Sequence, residues 1–213
     1  MGTEIMRSGF FFFAILASLL GLLHFVAWFT GMTADLGLYS PGANDNASSV
    51  GSLLALADRL SQQPLPHTEV WLAFTGCEES GCDGMRALLA EHGSALKGAL
   101  FIDLEGVGIG DRLAYLRSEG VVRKRRISPD IEKLLHVAAG DTSLTGMDVA
   151  YFGVFTEAGV AWEYGYQAVC LSVLRKGERM FPEWHRLSDR PELLQESSLL
   201  LVHNYVWRLL GMY

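Results

Sequence analysis

Val70-Trp71-Leu72-Ala73-Phe74-Thr75-Gly76-Cys77-Glu78-Glu79-Ser80-Gly81 joins an unbroken apolar run to a small-residue turn carrying two adjacent carboxylates. The apolar run predicts a buried β-strand over about residues 69–74. A second stretch repeats the design. Ala99-Leu100-Phe101-Ile102-Asp103-Leu104-Glu105-Gly106 is apolar until it ends in acids and glycine. Between the two, Met85 to Glu91 reads as a helix stopped by Gly93. Strand, helix, strand, with acids at the strand ends, is the rhythm of an open α/β sheet, and such sheets build their sites just beyond the strand ends.

The rhythm continues outward. Asn46 to Gln62 places Ala47, Val50, Leu54, Ala57 and Leu60 at helical spacing behind a turn-rich segment. Arg112 to Leu116 alternates like a strand, and Ala168 to Leu174 is a short β-rich run. Pro129 to Ala139 predicts a helix with Ser128 as its cap and proline in its first turn. Pro191 to Leu210, with Leu194, Val202, Val206 and Leu209 on one stripe, predicts a long terminal helix.

Chemistry-bearing side chains gather at these junctions. Asp45 lies in the turn-rich segment 40–48, Glu78 and Glu79 follow the first apolar strand, Asp103 and Glu105 close the second, and His185 lies in the late turn Phe181 to Asp189. Taken singly, Asp45 reads as a helix cap, Glu78 and Glu79 as solvated turn acids, and His185 as a surface histidine. Taken together they form a donor set for zinc, which accepts imidazole nitrogen and carboxylate oxygen. Adjacent acids leaving a strand project in different directions. One can therefore ligate a metal while its neighbour takes a proton from the attacking water.

With these four motifs in this order, the chain resembles the zinc aminopeptidases of the M28 peptidase family over roughly residues 38 to 211. The family's Gly-Ala-Asn-Asp-Asn-Ala-Ser turn matches Gly42 to Ser48, and its Glu-Glu-x-Gly turn matches Glu78 to Gly81. Its strand ending in an acid matches Ile102 to Gly108, and its late histidine with an aspartate four residues on matches His185 and Asp189. The resemblance implies a three-layer α/β/α fold around a mostly parallel, mixed central sheet. It implies a zinc-dependent exopeptidase that removes N-terminal amino acids from peptides. Asp45 would bridge two zinc ions, Glu78 would be the general base, Glu79 and His185 would hold one zinc, and Glu105 would help hold the other. Glu105 stands where the family more usually has aspartate, and Asp103 is the fallback.

One departure bears on the metal. The family's earlier His-x-Asp is missing: ten residues before Asp45 stands Asp35, and two before that Thr33, whose hydroxyl is a poor zinc ligand beside imidazole. His24, the one histidine ahead of Asp45, lies in an apolar segment. The expected zinc count is therefore one or two. Two other readings stand beside the aminopeptidase. One is a one-zinc enzyme similar to glutaminyl cyclases, which needs only Asp45, Glu79 and His185. The other is a membrane-tethered inactive homologue or fragment.

That apolar segment, Gly9 to Met32, contains no Asp, Glu, Lys or Arg. About 20 residues at 1.5 Å rise cross roughly 30 Å of hydrocarbon, so residues 9–32 read as a transmembrane helix behind a tail of residues 1–8. A cleaved signal peptide would have a shorter apolar region closed by small residues, whereas Trp28 and Phe29 close this one. Arg7 favours a cytoplasmic amino end, which places the peptidase-like domain, residues 33–213, outside the cytoplasm. Some bacterial members carry an apolar insertion between the missing motif and the Gly42 turn. That implies an N-terminally incomplete domain with Met1 as an internal start.

Other functions find little support. A net charge of −7 argues against nucleic acid, and Arg123-Lys124-Arg125-Arg126, with no interleaved aromatics, reads as a solvated loop or substrate-facing rim. The glycines from Gly106 to Gly110 are out of register for a dinucleotide loop, so no nucleotide is expected. There is no Gly-x-Ser-x-Gly elbow. Cys77, Cys82 and Cys170 are too few for a disulfide framework or a four-cysteine zinc site. Glu157 is a substrate-pocket candidate, and His67, His92, His136 and His203 read as structural. Asp189 either steers His185 or caps a helix. The expected partners are a peptide substrate and, through the N-terminal helix, a membrane.

Overall fold

The computed structural model describes residues 2–33, 36–120, 124–148 and 155–213; Met1, Asp35 and Arg123, which entered the sequence reading, lie outside them. The chain divides into two units, Met1–Tyr39 and Ser40–Tyr213. The first is a single helix, α1 (Gly2–Thr33), whose stretch Phe10–Thr33 has a mean hydropathy of 2.4, no buried residue, and the length to cross a bilayer. Its polar side chains turn back on their own helix. Ser18 Oγ donates to Ala14 O, Thr30 Oγ1 to Val26 O and Thr33 Oγ1 to Phe29 O, and His24 Nδ1 lies 2.7 Å from Leu20 O. Such back-bonding satisfies these polar groups within their own helix.

The second unit is a mixed α/β fold. In chain order it contains α2 (Ser48–Gln62), α3 (Asp83–His92), β1 (Leu100–Leu104), β2 (Arg112–Glu119), β3 (Arg125–Arg126), α4 (Pro129–Ala139), β4 (Leu144–Asp148), α5 (Glu157–Glu163), β5 (Gln167–Leu174) and α6 (Glu196–Leu210). β5 lies between β1 and β2, parallel to β1 with Leu104 opposite Leu171, and antiparallel to β2 with Leu113 opposite Val173. β4 runs parallel along β2, and β3 pairs antiparallel at its end. The sheet is mixed, as expected, and its antiparallel pairings fall at β2 for a physical reason. The short connection from β1 to β2 cannot supply the crossover that a parallel return needs.

Every residue of β5 after Gln167 is buried, as in a strand covered on both faces. α2, α4 and α6 pack together, and α3 packs with α5, which lies against β1 and β5. α4 has the expected bounds, with Ser128 Oγ accepting from Ile131 N at 3.3 Å and Pro129 in the first turn.

Two expected elements differ. The terminal helix is broken into a 3₁₀ turn, Pro191–Leu193, and α6, because Leu194 and Gln195 adopt extended backbone. Gln195 is drawn out to serve the loop after β1: its N–H donates to Gly108 O at 2.8 Å, and its side-chain oxygen accepts from Gly110 N at 3.0 Å. The expected strand at 69–74 belongs to no sheet, and among the described residues β1 pairs only with β5. Val70 and Leu72 pack on the core, but the segment and β1 line a shared cavity of about 470 Å³. The apolar pattern overstated burial as well as pairing: Val70 and Leu72 are half-buried while Trp71, Ala73 and Phe74 are exposed, because a strand is covered on both faces only when a neighbouring backbone about 4.8 Å away brings it into a sheet.

Candidate metal centre

Three loops converge to build the site, and the first supplies most of the ties. Gly42 enters it in the left-handed region at φ 70°, and Ala43–Ala47 form a wide turn, closed by Ala47 N donating to Gly42 O at 3.1 Å, in which Asp45 and Asn46 leave the helical path before α2. Both oxygens of Asp189, which is fully buried, accept from this turn: Asn44 N at 2.7 Å and Asp45 N at 3.0 Å. Asn44 reaches in two directions. Its Nδ2 donates to Pro182 O at 2.8 Å, and its Oδ1 accepts from Gly108 N at 2.7 Å. Asn46 Nδ2 donates to Leu104 O at 2.9 Å and to Glu105 Oε2 at 3.1 Å. Ser48 Oγ accepts from Val107 N. The turn therefore fixes Asp45 and, through Asn46, the Glu105 carboxylate.

The second loop runs from Thr75 to α3. Gly81 N and Cys82 N both donate to Glu78 O at 2.9 Å, and Gly84 N donates to Gly76 O at 3.0 Å, which closes the turn that presents Glu78 and Glu79. This closure requires glycine. A Cβ on Gly84 would lie 2.3 Å from Gly76 O. The third loop brings His185, whose φ of 54° is unusual for a non-glycine residue and whose ring lies 4.4 Å from that of Trp184.

These loops place one donor atom each from Asp45, Glu79 and His185 within 4.8 Å of one another. His185 Nε2 is 3.0 Å from Glu79 Oε1 and 3.7 Å from Asp45 Oδ2. Glu78 and Glu105 line the same cleft without joining that triad. Asp103, the fallback for Glu105, turns elsewhere: its Oδ2 accepts from Ala158 N at 3.2 Å, at the start of α5. Glu157 lines the larger cavity and accepts a hydrogen bond from the Thr75 hydroxyl. Asp189 holds the Asp45 turn in place of either role anticipated for it.

The electrostatics fit a cation. Burial, then the neighbouring Glu79, pushes Asp45 up to about 6; burial and the same neighbour push Glu78 up to about 7. Burial and then Asp103 hold Glu105 well above the usual carboxylate range. Behind the cleft, burial pushes Asp103 and the fully enclosed Glu119 each up to about 7, although Glu119 accepts from Thr156 N and Oγ1. Two carboxylates and an imidazole converging in a crowd of acids are donors that zinc satisfies.

The linkage has a definite sign. Folded carboxyls with raised pKa values hold protons that the unfolded chain releases, so the zinc-free fold loses stability as pH rises from about 4 to about 7. Zinc must displace such protons, so its affinity climbs through the same window. A zinc-free sample should melt higher at pH 5 than at pH 7.5, and added zinc should raise the melting temperature more at pH 7.5. A zinc-free melting point that climbs across the window contradicts this.

A mixed sheet flanked by helices, with its site in the loops beyond the strand ends, defines an α/β fold of the zinc aminopeptidase type. The chain belongs to peptidase family M28, whose model matches residues 27–210. It is similar in structure to BSAP, a zinc aminopeptidase from Bacillus subtilis, at 20% identity and a TM-score of 0.66, covering 81% of this chain and 42% of that one. An aminopeptidase from Aneurinibacillus sp. strain AM-1 is similar at 20% identity and a TM-score of 0.60, covering 80% and 39%. An Acidobacteriales bacterium glutaminyl cyclase is similar at 20% identity and a TM-score of 0.62, covering 80% and 61%. A search of curated proteins found no match. The chain thus spans about two fifths of the length of the aminopeptidases it resembles.

Proposed function

We propose that this chain is a zinc-dependent exopeptidase that releases the N-terminal amino acid of a peptide. The convergence of Asp45, Glu79 and His185 in a cleft shared with Glu78 carries the reading. Asp45, Glu79 and His185 hold one zinc. Asp45 and Glu105 offer a second ion two oxygen donors and no imidazole, which makes that position the weaker one. Zinc held by Asp45, Glu79 and His185 would supply Lewis acidity toward the scissile carbonyl and toward water. Glu78, with a pKa lifted to about 7, takes a proton from the attacking water and returns it to the leaving amine near neutral pH. The surplus carboxylates attract the substrate's free ammonium group. The apolar stretch Phe10–Thr33 tethers the chain to a membrane, with the peptidase domain outside the cytoplasm.

The test is hydrolysis by the full chain in detergent with zinc. An unblocked leucyl peptide should lose its first residue and its N-acetylated counterpart should not; equal cleavage of both, or of neither, contradicts the proposal. A one-zinc cyclase is the second reading, favoured by the same three-donor triad. A peptide beginning with glutamine separates the two, since a cyclase leaves a pyroglutamyl peptide where an exopeptidase releases glutamine.

A further inference from the structure

The cleft holds an unmatched cation. Arg179, on the loop between β5 and His185, lines the same cleft as the metal triad and is exposed. Three other arginines are engaged. Arg117 and Arg126 reach Asp148 at 3.5 and 3.4 Å, and Arg175 reaches Glu178 and Glu183 at 3.9 Å each. Among the described residues Arg179 has no hydrogen bond or ion pair. The one cleft acid outside the metal-site group, Asp148, is already shared by two arginines and the Ser118 hydroxyl.

The cleft is therefore polarised. Acids gather around the triad, and a guanidinium without a partner among the described residues lines the same space, with Leu116, Met147, Phe155 and Trp184. Ligand length is set by the span of this cleft of about 210 Å³ and not by the total room, since Asp45, Glu78, Glu79 and Glu105 also line the cavity of about 470 Å³. A guanidinium grips a carboxylate through two parallel hydrogen bonds. We propose that Arg179 binds the free C-terminal carboxylate of the substrate, so that this site takes short apolar peptides, di- and tripeptides, with both termini free. The proposal rests on the exopeptidase reading of the cleft.

Binding separates the two. In the full chain carrying Glu78→Gln, loaded with zinc in detergent, calorimetry should find leucyl-leucine bound about 10- to 100-fold more tightly than leucyl-leucinamide. Adding Arg179→Gln should erase the difference, while Arg179→Lys, which keeps the charge and loses the fork, should keep part of it. Equal affinities with Arg179 present, a preference that survives Arg179→Gln, or binding of neither peptide would overturn the assignment. Turnover by the unaltered chain then tests the exopeptidase step on its own. Hydrolysis without a carboxylate preference in binding sinks the role of Arg179 and keeps the peptidase; the preference without hydrolysis does the reverse.

Discussion

Glu78→Gln lowers turnover of an unblocked peptide by about 10²- to 10⁴-fold, the usual contribution of a positioned general base, and leaves zinc content unchanged. Glutamine keeps the shape of the side chain and removes its basicity. The turn is closed by the backbone oxygen of Glu78, which accepts from Gly81 N and Cys82 N and is untouched by the change. Glu78 also lies outside the triad whose donor atoms converge. The variant should therefore fold, bind zinc, and lose the limb of its pH–rate profile that reports deprotonation of the base. Steady-state kinetics beside elemental analysis checks both halves. Retained activity removes Glu78 from the base role, and lost zinc makes it a ligand.

Asp189→Ala lowers zinc affinity by about 10- to 100-fold, the range for losing a partner that orients metal ligands. It also destabilises the fold by about 1–3 kcal/mol, because the amides of Asn44 and Asp45 lose buried acceptors. The affinity loss is the distinctive part, since Asp189 touches no donor atom of the triad. It acts by fixing the backbone from which Asp45 projects. Chelator competition measures the affinity and thermal unfolding measures the stability. A variant that melts earlier yet binds zinc as tightly as before would show Asp189 to be structural only.

Much of the fold was legible because local rules governed it. α4 matches its expected bounds because Ser128, Pro129 and the apolar stripe all act within one helix. α3, β1 and β5 fall within a few residues of their expected bounds for the same reason. The segment 69–74 is neither buried nor paired as its apolar run suggested, since both depend on a distant backbone that the run itself does not report. α5 was missed because its buried run, Ala158 to Trp162, has no polar face to mark a helical period. Leu194 and Gln195 leave the helical path for a loop more than 80 residues earlier, which no helical stripe reports.

The site was legible as a set of donors and not as a scaffold. Asp45, Glu78, Glu79, Glu105 and His185 announced themselves by residue type at loop positions, and all five line one cleft. The ties that hold them were harder to read. Asn44, Asn46 and Ser48 look like turn formers, but their side chains reach the loop after β1, and Asn44 also reaches Pro182. The density of asparagine and serine around Asp45 was the available signal. Arg179 carried none, because a cation in a loop is recognised as unmatched only once its neighbours' partners are known.

The central claim is that Asp45, Glu79 and His185 form a zinc site. Its most direct test is the zinc content of the purified full chain by elemental analysis, beside the same measurement on His185→Ala. The account expects one tightly held zinc per chain and its loss on removing the imidazole. A chain that binds no zinc, or binds it equally well without His185, would contradict it.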